Sequence, residues 1–332
     1  MNSFGRIFRV SLFGESHGKS IGVVIDGVPA GIPLTPEDFR TDLERRRPGA
    51  KGTTLRREDD LGLLKSGVFH DRSSGAPLIV QFENTDTDSS AYENIRQCPR
   101  PGHADFTSFH KFGGLHDYRG SGHFSGRITL GLVAAGVVAK KILKGISIQA
   151  EVVEAGGSAR IEEPIEDALK DHDSIGGIIE CRVNGLPPGL GEPFFDKTSA
   201  MLAHIIFAVP GIRGLEFGAG FAAARMKGSQ CNDPILDKHG TTASNHSGGL
   251  NGGITNGNEL FFRVAVKPTS SIGRAQNTIH LPDGTPTTLV VKGRHDTCFA
   301  LRLPVVIEAA TAIVLADFML LEQRVPRVYR QV

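Results

Sequence analysis

Cysteine is scarce in this 332-residue chain. Cys98, Cys181, Cys231 and Cys298 stand far apart, with no CxxC pair and no Cys/His spacing that would hold a metal. A chain of this length buries a large core without covalent staples. A reduced, cytoplasmic protein with no disulfide framework and no metal site is expected. Net charge is scarce too: 37 basic against 36 acidic side chains leave +1, so the surface as a whole offers no footprint for nucleic acid. Long apolar runs are missing. The longest are cut by charge at Lys140 and Glu308, short of the roughly 18 residues that a membrane span needs. The opening MNSFGRIFRVSLFG lacks the apolar region and cleavage signal of a secretory leader, and no membrane segment is expected. Familiar chemical motifs are missing as well. GESHG at residues 14–18 has neither the P-loop Lys-Ser/Thr nor GxGxxG spacing, and the carboxylates of residues 83–90 lack the EF-hand pattern. No GxSxG elbow accompanies the His295-Asp296 pair.

What is present is concentrated in residues 100–127, RPGHADFTSFHKFGGLHDYRGSGHFSGR. This stretch holds four of the twelve histidines (His103, His110, His116, His123), six glycines, and Arg100, Lys111, Arg119 and Arg127. Glycine lets backbone approach a ligand, arginine grips phosphate or carboxylate in bidentate fashion, and histidine exchanges a proton near neutrality. The stretch reads as a loop that binds an anion and moves a proton. Residues 40–57 add seven basic and two acidic side chains, a local +5, which suits a small anionic ligand.

Local signals place these residues. Residues 7–13 and 21–25 read as strands, the first ending in Ser16-His17 and the second in the Asp26-Gly27 turn. Thr35, Pro36, Glu37 and Asp38 start a helix that Pro48 must stop, with Arg45, Arg46 and Arg47 in its last turn. Three consecutive positions fan round a helix, so at least one faces what the following loop covers. Residues 61–69 and 76–82 read as strands. Ser125 caps a helix over 126–143, leaving Gly120, Ser121 and Gly122 where free N–H groups bind anions. A last apolar helix is expected over 304–321. The glycine-dense 245–257 and the hydroxyl-rich strand end Lys267, Pro268, Thr269, Ser270, Ser271 suit a ligand's edge.

The halves echo each other. Residues 20–29 resemble 174–187, the strands before Ser89-Ser90 resemble the strand 260–266 before Thr269-Ser270-Ser271, and the two long helices correspond. An α+β architecture is expected, with two similar sheets, packed helices and an internal repeat, as one domain over 1–332 whose halves meet near residue 150.

The chain also resembles the chorismate synthase family over nearly its full length. The matching motifs are GESHG (14–18), DGVPAGI (26–32), RRRPG (45–49), SGVF (66–69), RPGHAD (100–105), DYRG (117–120), GGLNGGITNG (248–257), KPTSSI (267–272) and GRHD (293–296), in family order. The resemblance implies a β-α-β sandwich with a pseudo-two-fold repeat, usually a homotetramer. It implies loss of the 3-phosphate and the 6-proR hydrogen from 5-enolpyruvylshikimate 3-phosphate by anti-1,4-elimination, with reduced FMN required and no net redox change. NADPH is a candidate reductant for the flavin. By resemblance, His17 is a general acid near the leaving phosphate, His103 lies at the flavin's pyrimidine edge, and Asp296 lies near flavin N5. Arg46, Arg100, Arg119, Arg127 and Arg294 would hold substrate anions, and Arg46 and Lys51 are also linked to nucleotide binding. Flavin contacts would come from His123, Phe124, Ser125, Pro210, Gly211, Gly252, Lys267, Pro268, Thr269, Ser270, Ser271 and Arg294. One departure stands out: most relatives read GGGRSSARET where this chain has GSGHFSGRIT at 120–129, so His123 and Ile128 replace the usual Arg and Glu. A flavin-dependent oxidoreductase, or a non-catalytic flavin- or anion-binding protein, would use the same residue types.

Overall fold

The structure is a computed structural model and describes residues 2–49, 51–54, 59–85, 89, 92–291 and 295–329. Its first sheet contains β1 (Arg9–Gly14), β2 (Ser20–Asp26), β3 (Leu63–Ser66) and β4 (Leu78–Glu83). All neighbours are antiparallel in the order β1-β2-β4-β3, with the short strand Ser3–Phe4 on the outer edge of β1. Its second sheet contains β5 (Ser147–Ala155), β6 (Gly177–Asn184), β7 (Ile212–Phe217) and β8 (Leu260–Val266), again antiparallel, in the order β5-β6-β8-β7. Numbered within each half, both sheets run first-second-fourth-third.

The helices repeat as well. Between the second and third strands lies α1 (Arg40–Arg46) in one half. Later in the chain come α2 (Asp105–Phe112) and α3 (Thr129–Ile142). In the second half α4 (Thr198–Ala208) occupies the place of α1, and α5 (Pro304–Leu321) that of α3. The duplication expected from the sequence echoes is present in the two sheets and in the helix pairs α1/α4 and α3/α5, but not in α2 or in the helix Glu162–Lys170, giving an α+β fold with a pseudo-two-fold repeat.

The layers follow from the residue pattern. Strands β4 and β8 alternate buried and part-exposed side chains, so each sheet has one core face. Helices α3 and α5 are apolar on all sides and buried along nearly their whole length, as befits a layer covered twice. They pack on each other, α3 against β2 and α5 against β5. The contact is close because Gly136 of α3 faces the Cα and Cβ of Ala309 in α5, leaving no room for a side chain. Helix α5 is 18 residues long and apolar enough by length to cross a membrane, longer than the charge-interrupted run expected. It is a core helix, and its two carboxylates are satisfied inside. Glu308 accepts from Arg45 Nη2 at 2.7 Å, Lys140 Nζ at 2.9 Å and the Ala150 amide at 3.1 Å. Asp317 accepts from the backbone amides of Arg6, Ile7 and Phe8 at 2.8–3.0 Å, so the second half's helix anchors the first half's leading strand.

Four local expectations are corrected. Residues 100–127 are not one loop: α2 forms inside them, with Asp105 in its first turn and Gly113 in a left-handed conformation ending it. The helix read over 36–46 opens with a 3-10 turn, Pro36–Phe39, and that read over 126–143 opens with another, Gly126–Ile128, in which Ser125 Oγ accepts from the Arg127 amide. The strand read over 61–69 breaks between Ser66 and Val68.

Candidate active site

The loop after β1 and the segment before α3 meet first. The Ser16 amide donates to the Gly122 carbonyl at 3.1 Å. Gly120, Ser121 and Gly122 all have positive φ, 55°, 69° and 53°, so the chain turns sharply and its backbone reaches the Ser16-His17 pair. A Cβ on Gly120 would run into the His17 ring and Ser16 Oγ. His17 Nδ1 hydrogen-bonds to Ser89 Oγ at 2.9 Å, and its ring meets Tyr92 edge to face, with centroids 5.3 Å apart. Its Nε2 and Cδ2 edge lies beside Gly120.

The segment Arg100–Asp105 forms a second knot. Arg100, only 4% exposed, donates Nε and Nη2 to the two oxygens of Asp105, both at 2.7 Å, and Nη1 to Ser271 Oγ at 2.9 Å. His103 Nδ1 lies 2.7 Å from Asp105 Oδ1. An ionised carboxylate only accepts, so Nδ1 carries the proton and Nε2 is an acceptor facing Ser121 Oγ at 3.3 Å. Burial lowers the His103 pKa, the Asp105 hydrogen bond restores part of it, and the Arg100 charge lowers it again. The neutral imidazole is therefore favoured. Burial would raise the Asp105 carboxyl, but the hydrogen bonds from Arg100 and His103 win and hold it well below the usual range.

The third wall carries more cations. Arg46, at the end of α1, donates to Thr129 Oγ1 at 3.1 Å and to the Gly126 carbonyl at 2.8 Å. Arg127 donates to Asn84 Oδ1 at 2.6 Å and to Asp60 Oδ1 at 2.9 Å. Burial and then the Arg302 charge lower the proton affinity of Arg46, while Asp60 works the other way. Asp296 accepts from the Thr54 amide at 2.8 Å and from Arg302 Nη1 at 3.1 Å. Lys267 donates to the Gly102 carbonyl at 2.9 Å and to Ser270 Oγ at 2.6 Å. Burial, then the Arg213 and Arg100 charges, lower the Lys267 pKa.

All three walls face one cavity of about 360 Å³. Of the residues expected from sequence, it gathers His17, Arg46, Arg100, His103, Arg127 and Asp296, together with Phe124, Ser125, Pro210, Gly211, Lys267, Pro268, Thr269, Ser270 and Ser271. Thr269 Oγ1 is buried there without a hydrogen-bond partner among the described residues. An orphaned hydroxyl, a lysine and a row of serines on one strand end suit the polar edge of a flat heterocycle such as FMN, and the arginines suit phosphate and carboxylate.

Four expected residues do not line this cavity. His123 Nδ1 lies 2.8 Å from the Gly14 carbonyl and Nε2 3.2 Å from Asn2 Oδ1. Past the kink at Gly122 (φ 53°, ψ −126°), His123 turns to the end of β1 and Phe124 to the cavity. Lys51 pairs with Glu166 on the surface. Arg119 pairs with Asp117 at 2.8 Å. Gly252 lies in the turn between the short strands Leu250–Asn251 and Ile254–Thr255. Arg294 lies outside the described residues. Among the described residues of the basic run 40–57, Arg40 pairs with Glu37 and Glu44, and Arg45 with Glu308. Sequence reading missed Thr54, Tyr92, Phe299 and Arg302, which also line the cavity. None sits in a glycine-rich motif. Arg302 alone had a signal, a cation two residues before the proline that opens α5. Among the described residues, no cluster of His, Cys, Asp and Glu could hold a metal ion.

A family model described as chorismate synthase matches residues 8–320. A chorismate synthase of Chitinophaga pinensis is 62% identical over 331 residues, covering 99% of this chain and 100% of the relative. One from Dehalococcoides mccartyi is 45% identical over 362 residues, covering 99% and 100%. A chorismate synthase crystal structure aligns with a TM-score of 0.74 at 26% identity, covering 96% of this chain and 93% of the other.

Proposed function

The chain belongs to the chorismate synthase family, a family of carbon–oxygen lyases in aromatic amino-acid biosynthesis, and we propose that its cavity converts 5-enolpyruvylshikimate 3-phosphate to chorismate and phosphate. In that anti-1,4-elimination the C3–O bond breaks and its electron pair leaves with phosphate. The C6–H bond gives up the 6-proR proton, and its electrons complete the diene. The observation that carries the reading is the convergence of Arg46, Arg100 and Arg127 with His17 and His103 on one cavity. A substrate with one phosphate and two carboxylates needs such a set of cations.

Each residue's part follows from its surroundings. Arg46 and Arg127 are anchored by their own hydrogen bonds, so little ordering is left for binding. His17, held through Nδ1 by Ser89, presents Nε2 as a general acid toward the departing phosphate. His103, kept neutral with its proton on Nδ1 toward Asp105, offers Nε2 as a hydrogen-bond acceptor to whatever polar edge lies against it. Reduced FMN, if bound, would supply electron density that eases phosphate loss and a basic site for the C6 proton. Lys267, Thr269, Ser270, Ser271 and the backbone of Pro210 and Gly211 would hold it, and Asp296, which lines the same cavity, is the carboxylate that would assist the proton transfer. NADPH is the reductant we propose to test, and a cytoplasmic homotetramer is the proposed form. Large exposed side chains such as Phe195 (90%) and Phe221 (78%) support a further assembly.

The test is an anaerobic assay with chemically reduced FMN and 5-enolpyruvylshikimate 3-phosphate, following chorismate. Turnover that needs reduced flavin without consuming it is expected. Steady NADPH oxidation without the phosphorylated substrate, and no chorismate with it, would assign the cavity to an oxidoreductase.

A further inference from the structure

A small hydrophobic cluster lies apart from the main core and joins Ile95, Leu289 and Val291. Ile95 is on the short helix Glu93–Gln97, and Leu289 ends a hairpin made of Gln276–Ile279 and Pro286–Leu289. A two-stranded hairpin is marginal by itself, and this one is tied to the chain that leads into the site. Thr278 Oγ1 donates to the Pro99 carbonyl at 2.6 Å, and the Leu281 amide to the Gln97 carbonyl at 2.8 Å. Tyr92 packs on the same cluster, half-buried, and lines the cavity. There it touches two walls at once. Its ring meets the His17 ring at 78° with centroids 5.3 Å apart. The Arg100 guanidinium carbon stands 5.9 Å from its centroid, within reach of a cation–π contact.

These two neighbours need different things from the ring. Arg100 is fixed by its own bonds to Asp105, Ser271 and Ser121, so it is a firm stop for Tyr92. His17 accepts or donates at Nδ1 to Ser89. That bond sets the place of one nitrogen, but a ring can turn about it, and the plane of the imidazole is what aims Nε2. An edge-to-face aromatic neighbour sets a plane. We infer that Tyr92 is a positioning residue for the elimination: seated on the Ile95, Leu289 and Val291 cluster and stopped by Arg100, its ring fixes the plane of His17. The inference rests on the reading that His17 is the general acid. It also gives the hairpin 276–289 a task in the site, although no residue of the hairpin lines the cavity.

Tyr92→Leu is the variant to make, because leucine still packs on the apolar cluster but has no aromatic ring. Tyr92→Phe keeps the ring. Leu289→Ala loosens the seat and leaves every cavity residue in place. Turnover of 5-enolpyruvylshikimate 3-phosphate with reduced FMN is measured anaerobically in these variants, in His17→Ala and in the double variant Tyr92→Leu/His17→Ala. Tyr92→Leu is expected to lower kcat roughly 10- to 100-fold, the cost of misplacing a catalytic group. KM should stay within about three-fold, since the bonds that hold Arg100 remain and only a step after binding is impaired. Tyr92→Phe should recover most of the loss, and Leu289→Ala should show the same split at smaller size. In the His17→Ala background, Tyr92→Leu should cost no more than about two-fold further, because both changes disable one function. Tyr92→Phe as impaired as Tyr92→Leu, a loss carried by KM, or fully multiplicative losses in the double variant would each overturn the inference and leave the substrate reading standing. If Tyr92→Leu does not fold, Leu289→Ala decides, and an unchanged kcat there overturns it. Wild type that forms no chorismate would overturn the substrate reading and the inference with it.

Discussion

Gly120 shows how much of this site depends on single atoms. Its positive φ and its approach to His17 mean that even a methyl group must displace the imidazole. Gly120→Ala is expected to lower kcat on the order of 100-fold, the cost of misplacing a catalytic group by about an ångström. His17→Ala added to it should cost little more, since the two changes disable one function; fully multiplicative losses would show that Gly120 acts elsewhere. His103 gives a prediction in pH. Its folded pKa lies below its ordinary 6.5 because of burial. As pH falls through that ordinary value the unfolded chain takes up a proton that the folded chain refuses, so stability is lost from about pH 6.5 downward. Asp105, held low by Arg100 and His103, adds a separate loss only below about pH 4. Denaturant unfolding between about pH 7.5 and 5 should therefore show a shallower slope in His103→Gln than in wild type, and equal slopes would remove His103 from the account. At this scale the sequence was readable where chemistry is unusual: histidines among glycines, arginines in series. It was silent on Tyr92 and Asp60, because an aromatic ring and a carboxylate in ordinary surroundings acquire meaning only from the residues folding brings beside them. His123 looked like a site residue for the opposite reason. Its neighbours in the chain are in the site, but one backbone kink points it away.

Among the elements, the helix layer is the most tightly specified. Gly136→Ala drives a methyl group into Ala309 and is expected to cost about 1–3 kcal/mol, as overpacking does, read from the denaturation midpoint. Glu308→Ala removes the acceptor shared by Arg45, Lys140 and the Ala150 amide. The loss is expected near about 3 kcal/mol, the lower end for a broken buried pair, because Arg45 keeps part of its side chain in water. A variant as stable as wild type would mean that the two cations simply turn outward. Arg45 and Arg46 are neighbours in sequence with opposite tasks: one fixes α1 to the core through Glu308, and the other lines the cavity. Helices with written starts, Pro304 for α5 and Thr35-Pro36 before α1, were legible because caps and proline act locally. Helix α2 was not, since glycine and histidine around it resemble loop composition, and what stabilises its first turn, Arg100 on Asp105, is the site itself.

For the molecule as a whole, the repeat was visible as faint echoes and is plain in the matching strand orders. Each half supplies one sheet and one long apolar helix, α3 or α5, whose far side is covered by the other half. Residue 145 lies in the turn between them, where the Ile146 amide donates to the Leu143 carbonyl. A chain cut there would leave two pieces, each with a bare hydrophobic face, and the first piece would also lose the Asp317 carboxylate that gathers the amides of Arg6, Ile7 and Phe8. Expressed alone, fragments 1–145 and 146–332 are expected to aggregate. Refolded together they should reconstitute one particle, measurable by light scattering and by recovered chorismate synthase activity, and either fragment giving a cooperative melt by itself would refute the expectation. The duplication thus makes each half the other's obligatory chaperone, and the catalytic cavity exists only in a chain that has met its own second copy.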